Sequence, residues 1–267
     1  MNNKPAIQDH ALENLSDAES LRMEDTLWWL RGRKAIIRAY LDRATRYGPI
    51  PTIMDIGCGS GGNLDVLRDF GQVLGVEPSE TLARRAKSRG IAQTIFQQDA
   101  LELEECRTVQ LFTMFDVLEH IENDKAFLIQ LREKGEPGHR LLVSVPACPF
   151  LYSDHDRILH HYRRYTNKML RSTLEESGYQ VLLISYFMSL LFPLALLARM
   201  KDRLMAGLGK KITTVELGAL PPILSVPFET TLRAEALLSR KLRFPVGLWL
   251  FALAVPLTTK IAKNTKI

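Results

Sequence analysis

Short apolar segments alternate with helical ones through the middle of this 267-residue chain, and no other feature limits its fold as strongly. Six segments are predicted to be strands: TIMDI (52–56), QVLGVE (72–77), AQTIF (92–96), VQLFTMF (109–115), RLLVSVP (140–146) and YQVLLISYF (179–187). Strands that alternate with helices form a parallel sheet with helices on both faces. One further strand, VGLWLFALAV (246–255), follows a longer helical segment. The sequence therefore predicts an α/β fold with a doubly wound, mostly parallel sheet of seven strands.

The rest of the chain divides into a flexible N-terminus, one domain and an insertion. Residues 1–20 are polar and lack the apolar core of a signal peptide, so we expect them to be flexible. Apolar residues recur at helical spacing from Ala18 to Thr45, which predicts an N-terminal helix. We expect residues 21–187 and 246–267 to form the domain, and residues 188–245 to form a helical lid or insertion before the last strand.

A glycine-rich segment, DIGCGSGG (55–62), follows the first predicted strand. Glycines let a backbone approach a ligand closely, and the start of a helix presents free N–H groups. The spacing fits two templates. Gly57, Gly59 and Gly62 match the dinucleotide-binding GxGxxG, whereas Asp55, Gly57, Gly59 and Gly61 match the acidic-x-G-x-G-x-G loop that holds S-adenosylmethionine (SAM). The glycines alone do not separate the two cofactors.

Three carboxylates at strand ends favour SAM. Glu77 ends the second strand, where it can accept hydrogen bonds from two ribose hydroxyls of either cofactor. Asp55 precedes the glycines, where it would repel a pyrophosphate but would attract the ammonium and sulfonium charges of SAM. Asp99, followed by Ala100, ends the third strand, where an acid can hold the adenine amine.

With these motifs the chain resembles the class I SAM-dependent methyltransferases over about residues 24–187 and 246–256. The resemblance rests on DIGCGSG, VEPSE, QQDA and MFDVLEHIEND, and the LEHI element is similar to that of quinone-biosynthesis O-methyltransferases and related small-molecule enzymes. It implies a Rossmann-like fold in which the last strand runs antiparallel beside the sixth.

The resemblance also implies roles for individual residues. Asp55, Gly57, Gly59 and Gly61 would surround the methionine portion of SAM, Glu77 would bind the ribose, and Asp99 with Ala100 would bind the adenine. Phe115 and Asp116 would lie beside the cofactor at the end of the fourth strand. Asp116 fits a helix cap equally well, because Glu119 follows three residues later.

The segment WWLRGRK (28–34) is similar to an N-terminal helix that folds over the cofactor in one methyltransferase subgroup. Trp29 and Arg33 are four residues apart and share a helix face. Arg33 would bind the methionine carboxylate and Trp29 would cover the site. The alternative is a tryptophan pair that packs the helix onto the sheet while the arginines stay in water.

The segment YSDHDRILHHYRRYT (152–166) follows the fifth strand and resembles the HDxxxxHxRRYT segment of the same subgroup. We expect residues 147–166 to form a loop over the methyl acceptor. If the acceptor is a hydroxyl, a histidine can remove its proton. His155 and His161 are the candidates, with His120 third, and Asp156 could orient one of them.

The same loop allows other interpretations. Arg163 and Arg164 could hold an anionic group of the substrate, or the loop could fold on its own ion pairs. His155 and His161 are six residues apart and no HxH or HxxxH pair occurs, so we expect no metal site. Two aspartates interrupt the arginines, which argues against a nucleic-acid grip.

Residues 188–243 combine apolar helices with basic flanks, and the chain has a net charge of +5. Such a pattern suits a lid over a hydrophobic acceptor, a homodimer interface or peripheral contact with an anionic membrane. Two uncharged runs, 181–198 and 244–259, contain or border prolines and are short for a span of roughly 20 residues. We expect both to contain buried strands instead.

We expect a SAM-dependent methyltransferase that modifies a small, hydrophobic or lipid-linked acceptor, with O-methylation favoured. A non-catalytic SAM-binding partner protein and an NAD-dependent oxidoreductase are the alternatives. Three scattered cysteines without a CxxC pair favour the reducing cytoplasm, with the inner face of the membrane left open.

Overall fold

The structure is a computed structural model, and it describes residues 26–197 and 222–257. Its strands are β1 (Thr52–Ile56), β2 (Gln72–Val76), β3 (Thr94–Phe96), β4 (Leu111–Phe115), β5 (Arg140–Pro146), β6 (Tyr179–Phe187) and β7 (Trp249–Pro256). Its helices are α1 (Trp28–Ala44), α2 (Leu64–Arg68), α3 (Glu80–Ser88), α4 (Asp124–Lys134), α5 (Asp154–Ile158), α6 (Asn167–Glu176) and α7 (Pro222–Ser239). All seven predicted strands are present, several of them shorter than predicted.

The strands form one sheet in the order β3-β2-β1-β4-β5-β7-β6. Neighbouring strands from β3 to β5 are parallel, while β7 runs antiparallel to both β5 and β6. The predicted doubly wound sheet and its antiparallel last strand are therefore confirmed. The order reverses at β1, between β2 and β4, which is where ligands bind in open α/β sheets.

Side chains alternate between the two faces of the sheet and build a core on each. On one face, Ile53 of β1 packs with Ile36 and Tyr40 of α1 and with Leu232 of α7. On the other face, Met54 of β1 packs with α4 and α6, which contribute Leu128, Leu131, Leu170 and Leu174. Both faces are thus covered, as parallel sheets require.

The helix ends follow local capping rules. Ser79 caps α3 by accepting from the Leu82 N–H, and Thr166 caps α6 by accepting from the Met169 N–H. The N-terminal helix begins at Trp28, and the part of the prediction before residue 26 lies outside the described residues. The segment 1–20 lies outside them as well.

The insertion is described at its two ends only. Residues 192–197 are helical and α7 packs along α1, with Leu232 of α7 seated directly over Gly32 of α1. The two uncharged runs supply β6 and β7, as expected. Over the described ranges, the structure contains no helix with the length and apolar character needed to cross a membrane.

Candidate active site at the carboxyl edge of the sheet

A cleft of about 1250 Å³ opens at the carboxyl ends of the parallel strands. The segments after β1, β2, β3 and β4 line one part of it, and residues of the 152–162 segment line another. Among the predicted site residues, those that line the cleft are Gly57, Asp99, Ala100, His120 and His161. The cleft therefore brings predicted cofactor-binding residues and two predicted catalytic histidines into one space.

The glycine loop needs its glycines for backbone conformation. Gly57, Gly59 and Gly61 have φ angles of 69°, 57° and 86°, in the left-handed region that other residues adopt with strain. A Cβ on Gly59 would meet no atom within 4 Å, so the loop faces open space there, as a ligand cradle must. A Cβ on Gly61 would lie 3.3 Å from the Ala86 Cα, so that position also lets α3 pack closely.

Glu77 lies beneath this loop and is fully buried. Its Oε2 accepts from the Gly59 N–H at 3.0 Å, and its Oε1 accepts from the Ser79 N–H at 2.9 Å. Hydrogen bonds to an ionised carboxylate are the stronger kind, so Glu77 ties the loop to the end of β2.

Asp99 sits where β3 leads into a short 3₁₀ turn, Ala100–Glu102. Its Oδ1 accepts from the Leu101 N–H at 2.8 Å, which caps the turn and fixes the carboxylate at the wall of the cleft. Ala100 is buried beside it. The position suits recognition of an exocyclic amine.

Asp55 is buried under the loop, away from the cleft wall. Its Oδ1 accepts from the Thr113 hydroxyl at 2.6 Å. Burial raises the pKa of Asp55 to about 7, against the opposing effects of the Thr113 hydrogen bond and the Arg33 charge. Asp55 therefore changes charge near neutral pH.

Trp29, Arg33, Phe115 and Asp116 gather at the ends of β4 and β5. Arg33 is buried, with its Nη1 2.6 Å from Asp116 Oδ2, and it donates from Nη2 to the Ser144 hydroxyl at 3.1 Å. The Arg33 guanidinium also lies 5.9 Å from the ring centre of Phe115. The expectation that the arginines stay in water is wrong for Arg33, because Asp116 neutralises its charge inside the protein.

Trp29 and Asp116 both contact Trp249 of β7. The Trp29 and Trp249 rings stack at 6.5 Å, and the Trp249 Nε1–H donates to Asp116 Oδ1 at 3.1 Å. The next turn, Leu118–His120, has Val117 as its N-cap and no side-chain cap bond, so the helix-cap interpretation of Asp116 is wrong. Asp116 instead joins α1 to the sheet.

Strained backbone is concentrated at this edge of the sheet. In the described ranges four residues other than glycine have positive φ, and three of them, Asp116, Cys148 and His160, follow β4, β5 and α5. Such conformations persist where the surrounding structure enforces them, and they cluster at functional sites.

Asp156 organises the loop that follows β5. It is fully buried, and its Oδ1 accepts from His161 Nδ1 at 3.0 Å and from Arg164 Nε at 2.7 Å, while Oδ2 accepts from the Ser153 N–H at 2.9 Å. Burial by itself would raise the pKa of Asp156, but the bonds from His161 and Arg164 hold it well below its usual range. An ionised Asp156 keeps the proton of His161 on Nδ1 and leaves Nε2 as the reactive nitrogen.

His120 lies against His161, with ring centres 4.7 Å apart and the rings edge to face. Burial, and then the neighbouring His161 and His160, lower the pKa of His120 to about 4, so its imidazole is neutral at working pH. His120 Nδ1 is buried and has no hydrogen-bond partner in the described structure.

Glu119 is the site residue that sequence reasoning missed, having treated it only as the partner of a cap. It is fully buried next to His120, and neither Oε atom has a hydrogen-bond partner among the described residues. Burial and the nearby charge of Asp116 raise its pKa well above the usual range. The available signal is an acidic residue next to a histidine, flanked by apolar residues in VLEHI (117–121).

The two arginines of the loop bind protein groups. Arg163 Nη1 lies 3.0 Å from Asp124 Oδ2 and its Nη2 donates to the Glu122 carbonyl, while Arg164 binds Asp156. Arg164 is therefore held by an ion pair within the loop, whereas Arg163 ties the loop to α4. The backbone of His155 lies in α5, and its side chain lies outside the described part of the structure.

Comparison with known proteins agrees with the fold. In the Thermotoga maritima structure, a possible histamine N-methyltransferase, 15% of residues are identical, the TM-score is 0.54, and the match covers 92% of this chain and 98% of that one. The plantazolicin methyltransferase BpumL, bound to S-adenosylhomocysteine, matches at 12% identity with a TM-score of 0.53 over 91% and 89% of the chains. Among curated proteins no sequence matches this chain.

These distant structural matches show the fold only, whereas a match to a family model shows the family to which the chain belongs. The model described as a methyltransferase domain matches residues 28–184, which is more than half of the chain. The match spans α1, the glycine loop, all three strand-end carboxylates and the loop after β5. The dinucleotide interpretation of the glycine motif is thereby set aside, and the chain belongs to the methyltransferase domain family as a SAM-dependent methyltransferase.

Proposed function

We propose that the protein methylates a hydroxyl group of a small, hydrophobic or lipid-linked acceptor bound between the glycine-loop edge and residues 147–166. The observation that carries the proposal is the position of His161. Its Nδ1 bonds to the buried Asp156, and it lines the same cleft as Asp99 and Gly57. A base oriented in this way suits an acceptor that must lose a proton.

The residues present fit SAM. The left-handed glycines 57, 59 and 61 would carry the methionine portion, Glu77 the ribose and Asp99 with Ala100 the adenine. The ionised form of Asp55 would attract the ammonium group, and Arg33, held by Asp116, would close the site from α1 with Trp29. SAM supplies an electrophilic methyl group when bound.

The protein's own contribution is alignment and proton removal. Holding an acceptor oxygen in line with the methyl group can lower the barrier by roughly 7–11 kcal/mol. Proton removal by a positioned histidine adds about 10²–10⁴-fold in rate. His161 fits this role best, because the hydrogen bond between its Nδ1 and Asp156 fixes its orientation. His120 stays neutral beside it and shapes the pocket.

The preference for an apolar acceptor rests on exposed side chains near the insertion. Large apolar residues are exposed at the described ends of residues 188–243, namely Leu190, Leu194, Leu197, Ile223, Val226, Leu237, Leu238 and Leu242. Such residues contact a greasy acceptor, a membrane surface or a second copy of the chain. The net charge of +5 favours an anionic surface among these.

Methyl-labelled SAM, incubated with the protein and a cell extract, tests the acceptor class. We expect label in the lipid-extractable fraction. Label in the aqueous small-molecule fraction would overturn the lipid-linked part of the proposal and would favour a dimer surface for the apolar residues. Label in protein or nucleic acid would contradict the small-molecule acceptor altogether.

His161→Gln tests the base. We expect kcat to fall about 10²–10⁴-fold while the affinity for SAM, measured by calorimetry, stays unchanged. Glutamine keeps the size and a hydrogen-bonding group but cannot take a proton at neutral pH. Unchanged transfer in both His161→Gln and His155→Gln would rule out general-base catalysis by either residue.

A further inference from the structure

Glu119, His120 and His161 bring three potential metal-ligand atoms within 4.8 Å of one another, and His120 and His161 line the cleft. Glu119 and His120 are neighbours on the 3₁₀ turn after β4, whereas His161 comes from the loop after β5. The sequence predicts no metal site because His161 is far from Glu119 and His120 in the sequence, so the three residues form no ligand motif. The fold brings the three residues together through the parallel pairing of β4 with β5.

Two of the three residues carry buried polar atoms that have no hydrogen-bond partner among the described residues. These atoms are the two Oε atoms of Glu119 and the Nδ1 of His120. Buried polar groups are normally satisfied, so an exception needs an explanation such as a bound ion. A cation between these atoms would satisfy all of them at once.

The third residue is arranged as metal-binding histidines usually are. A metal-bound imidazole nearly always donates its other ring N–H to a carboxylate or carbonyl. His161 has this arrangement, because its Nδ1 bonds to Asp156, itself fixed by Ser153 and Arg164. His161 Nε2 is therefore the nitrogen left for a ligand.

Positive charge nearby does not compete for the site. Arg33 and Arg164 are the two arginines whose charges act on Glu119. Each is already paired with another carboxylate, Arg33 with Asp116 and Arg164 with Asp156. The Glu119 carboxyl group is thus left without a hydrogen-bond partner among the described residues.

We propose that Glu119, His120 and His161 bind a divalent first-row metal ion of the zinc type. Two imidazoles and one carboxylate favour such ions over Mg²⁺, which prefers all-oxygen sites. Ligands of a tetrahedral zinc ion lie roughly 3.4 Å apart, so shifts of about an ångström would complete the site. Three protein ligands leave a coordination position open, as in catalytic zinc sites.

The open position would face the cleft, which His120 and His161 line. Resting on the proposed function, the metal would bind the acceptor oxygen there and lower the pKa of its hydroxyl, so that the proton would leave to solvent in the open cleft. In the metal-loaded protein His161 Nε2 would act as a ligand, so the role of base proposed above for His161 would apply to the metal-free protein. The metal proposal and the general-base proposal therefore make different predictions for the same residue.

Calorimetric titration of the chelator-treated full chain with Zn²⁺, in the absence of SAM, tests the site. We expect one saturable equivalent in the wild type, none in Glu119→Gln or His161→Ala, and about 10–100-fold weaker binding in Asp156→Asn. Glu122→Gln and His160→Asn are matched controls, since both residues line the cleft outside the ligand group and asparagine tolerates the left-handed backbone of His160. Both controls should bind as the wild type does.

Absence of saturable Zn²⁺ binding, binding that survives both ligand substitutions, or tighter binding of Mg²⁺ would each overturn the proposal. Thermal unfolding of every variant checks folding. If a ligand variant fails to fold, the test uses the wild type with Co²⁺ in place of Zn²⁺. Co²⁺ at this site must show the visible absorption of a tetrahedral ion with nitrogen and oxygen ligands. Added Zn²⁺ must displace the Co²⁺ and abolish that absorption. If the protein transfers methyl groups at the full rate but binds no Zn²⁺, the metal proposal is wrong and the proposed methyltransferase activity stands.

Discussion

At the scale of single residues, the site depends on carboxyl groups kept where water is excluded. Asp55 keeps one hydrogen bond, to Thr113, and its pKa of about 7 follows from burial that this bond and Arg33 offset only partly. Asp156 is also shielded from solvent but less deeply embedded in the protein, and His161 and Arg164 hold its pKa low. The depth of burial and the charged partners together decide which carboxyl is charged at neutral pH.

Asp55 should make stability depend on pH. The folded protein holds the Asp55 proton up to about pH 7, whereas the unfolded chain releases it near pH 4. Stability must therefore fall as pH rises through this window, by up to about 4 kcal/mol from this residue. We expect the denaturant-unfolding free energy of Asp55→Asn to fall less steeply than that of the wild type between about pH 4 and about pH 7.

Asp65→Asn is the control for this experiment, because the Asp65 side chain is half exposed. Glu119 also titrates with a raised pKa, so the readout is the difference between wild type and variant. Identical pH slopes for wild type and Asp55→Asn would contradict the raised pKa.

At the scale of elements, the pairing of α1 with α7 connects the N-terminal helix to the insertion. Leu232 is fully buried, and a Cβ on Gly32 would approach its side chain to 2.5 Å, so glycine is needed for the close crossing. Trp28 packs on Phe228 with ring centres 5.3 Å apart. Since Arg33 and Trp29 project from α1, this packing also positions the residues that join α1 to the sheet.

Leu232→Ala should destabilise the protein by about 2–5 kcal/mol, because it removes buried methyl groups and leaves a cavity between α1 and α7. Leu237→Ala, on the same helix but 64% exposed, should change stability by less than about 0.5 kcal/mol. Denaturant unfolding of both variants checks the pair. Equal effects of the two substitutions would show that α7 does not pack on α1 through Leu232.

At the scale of the whole molecule, the cleft is formed by segments that are distant in sequence. Gly57, Asp99, His120 and His161 meet there because four parallel strands end at one edge of the sheet. A ligand that fills the cleft contacts several of these segments at once. Binding should consequently stabilise the fold as a unit.

SAM at about 100 times its Kd should stabilise the folded state by about 2.7 kcal/mol. For a domain of this size the unfolding midpoint should rise by about 5–10 °C. NADH at the same concentration should leave the midpoint unchanged, since Asp55 and the family membership both oppose a dinucleotide. Differential scanning fluorimetry is sufficient, and a shift with NADH alone would contradict the cofactor assignment.

The sequence by itself determined the sheet, the order of its elements and the class of cofactor, because these depend on local patterns. Alternating apolar strands and helices have few compatible topologies, and left-handed glycines beside strand-end carboxylates sit at predictable places in them. Tertiary structure alone decided which carboxyls are charged, that Arg33 is buried against Asp116, and that Glu119 meets His120 and His161. These features depend on burial and on contacts between segments far apart in the sequence, such as Arg33 and Ser144, which are 111 residues apart. A local sequence pattern contains information on neither burial nor such contacts.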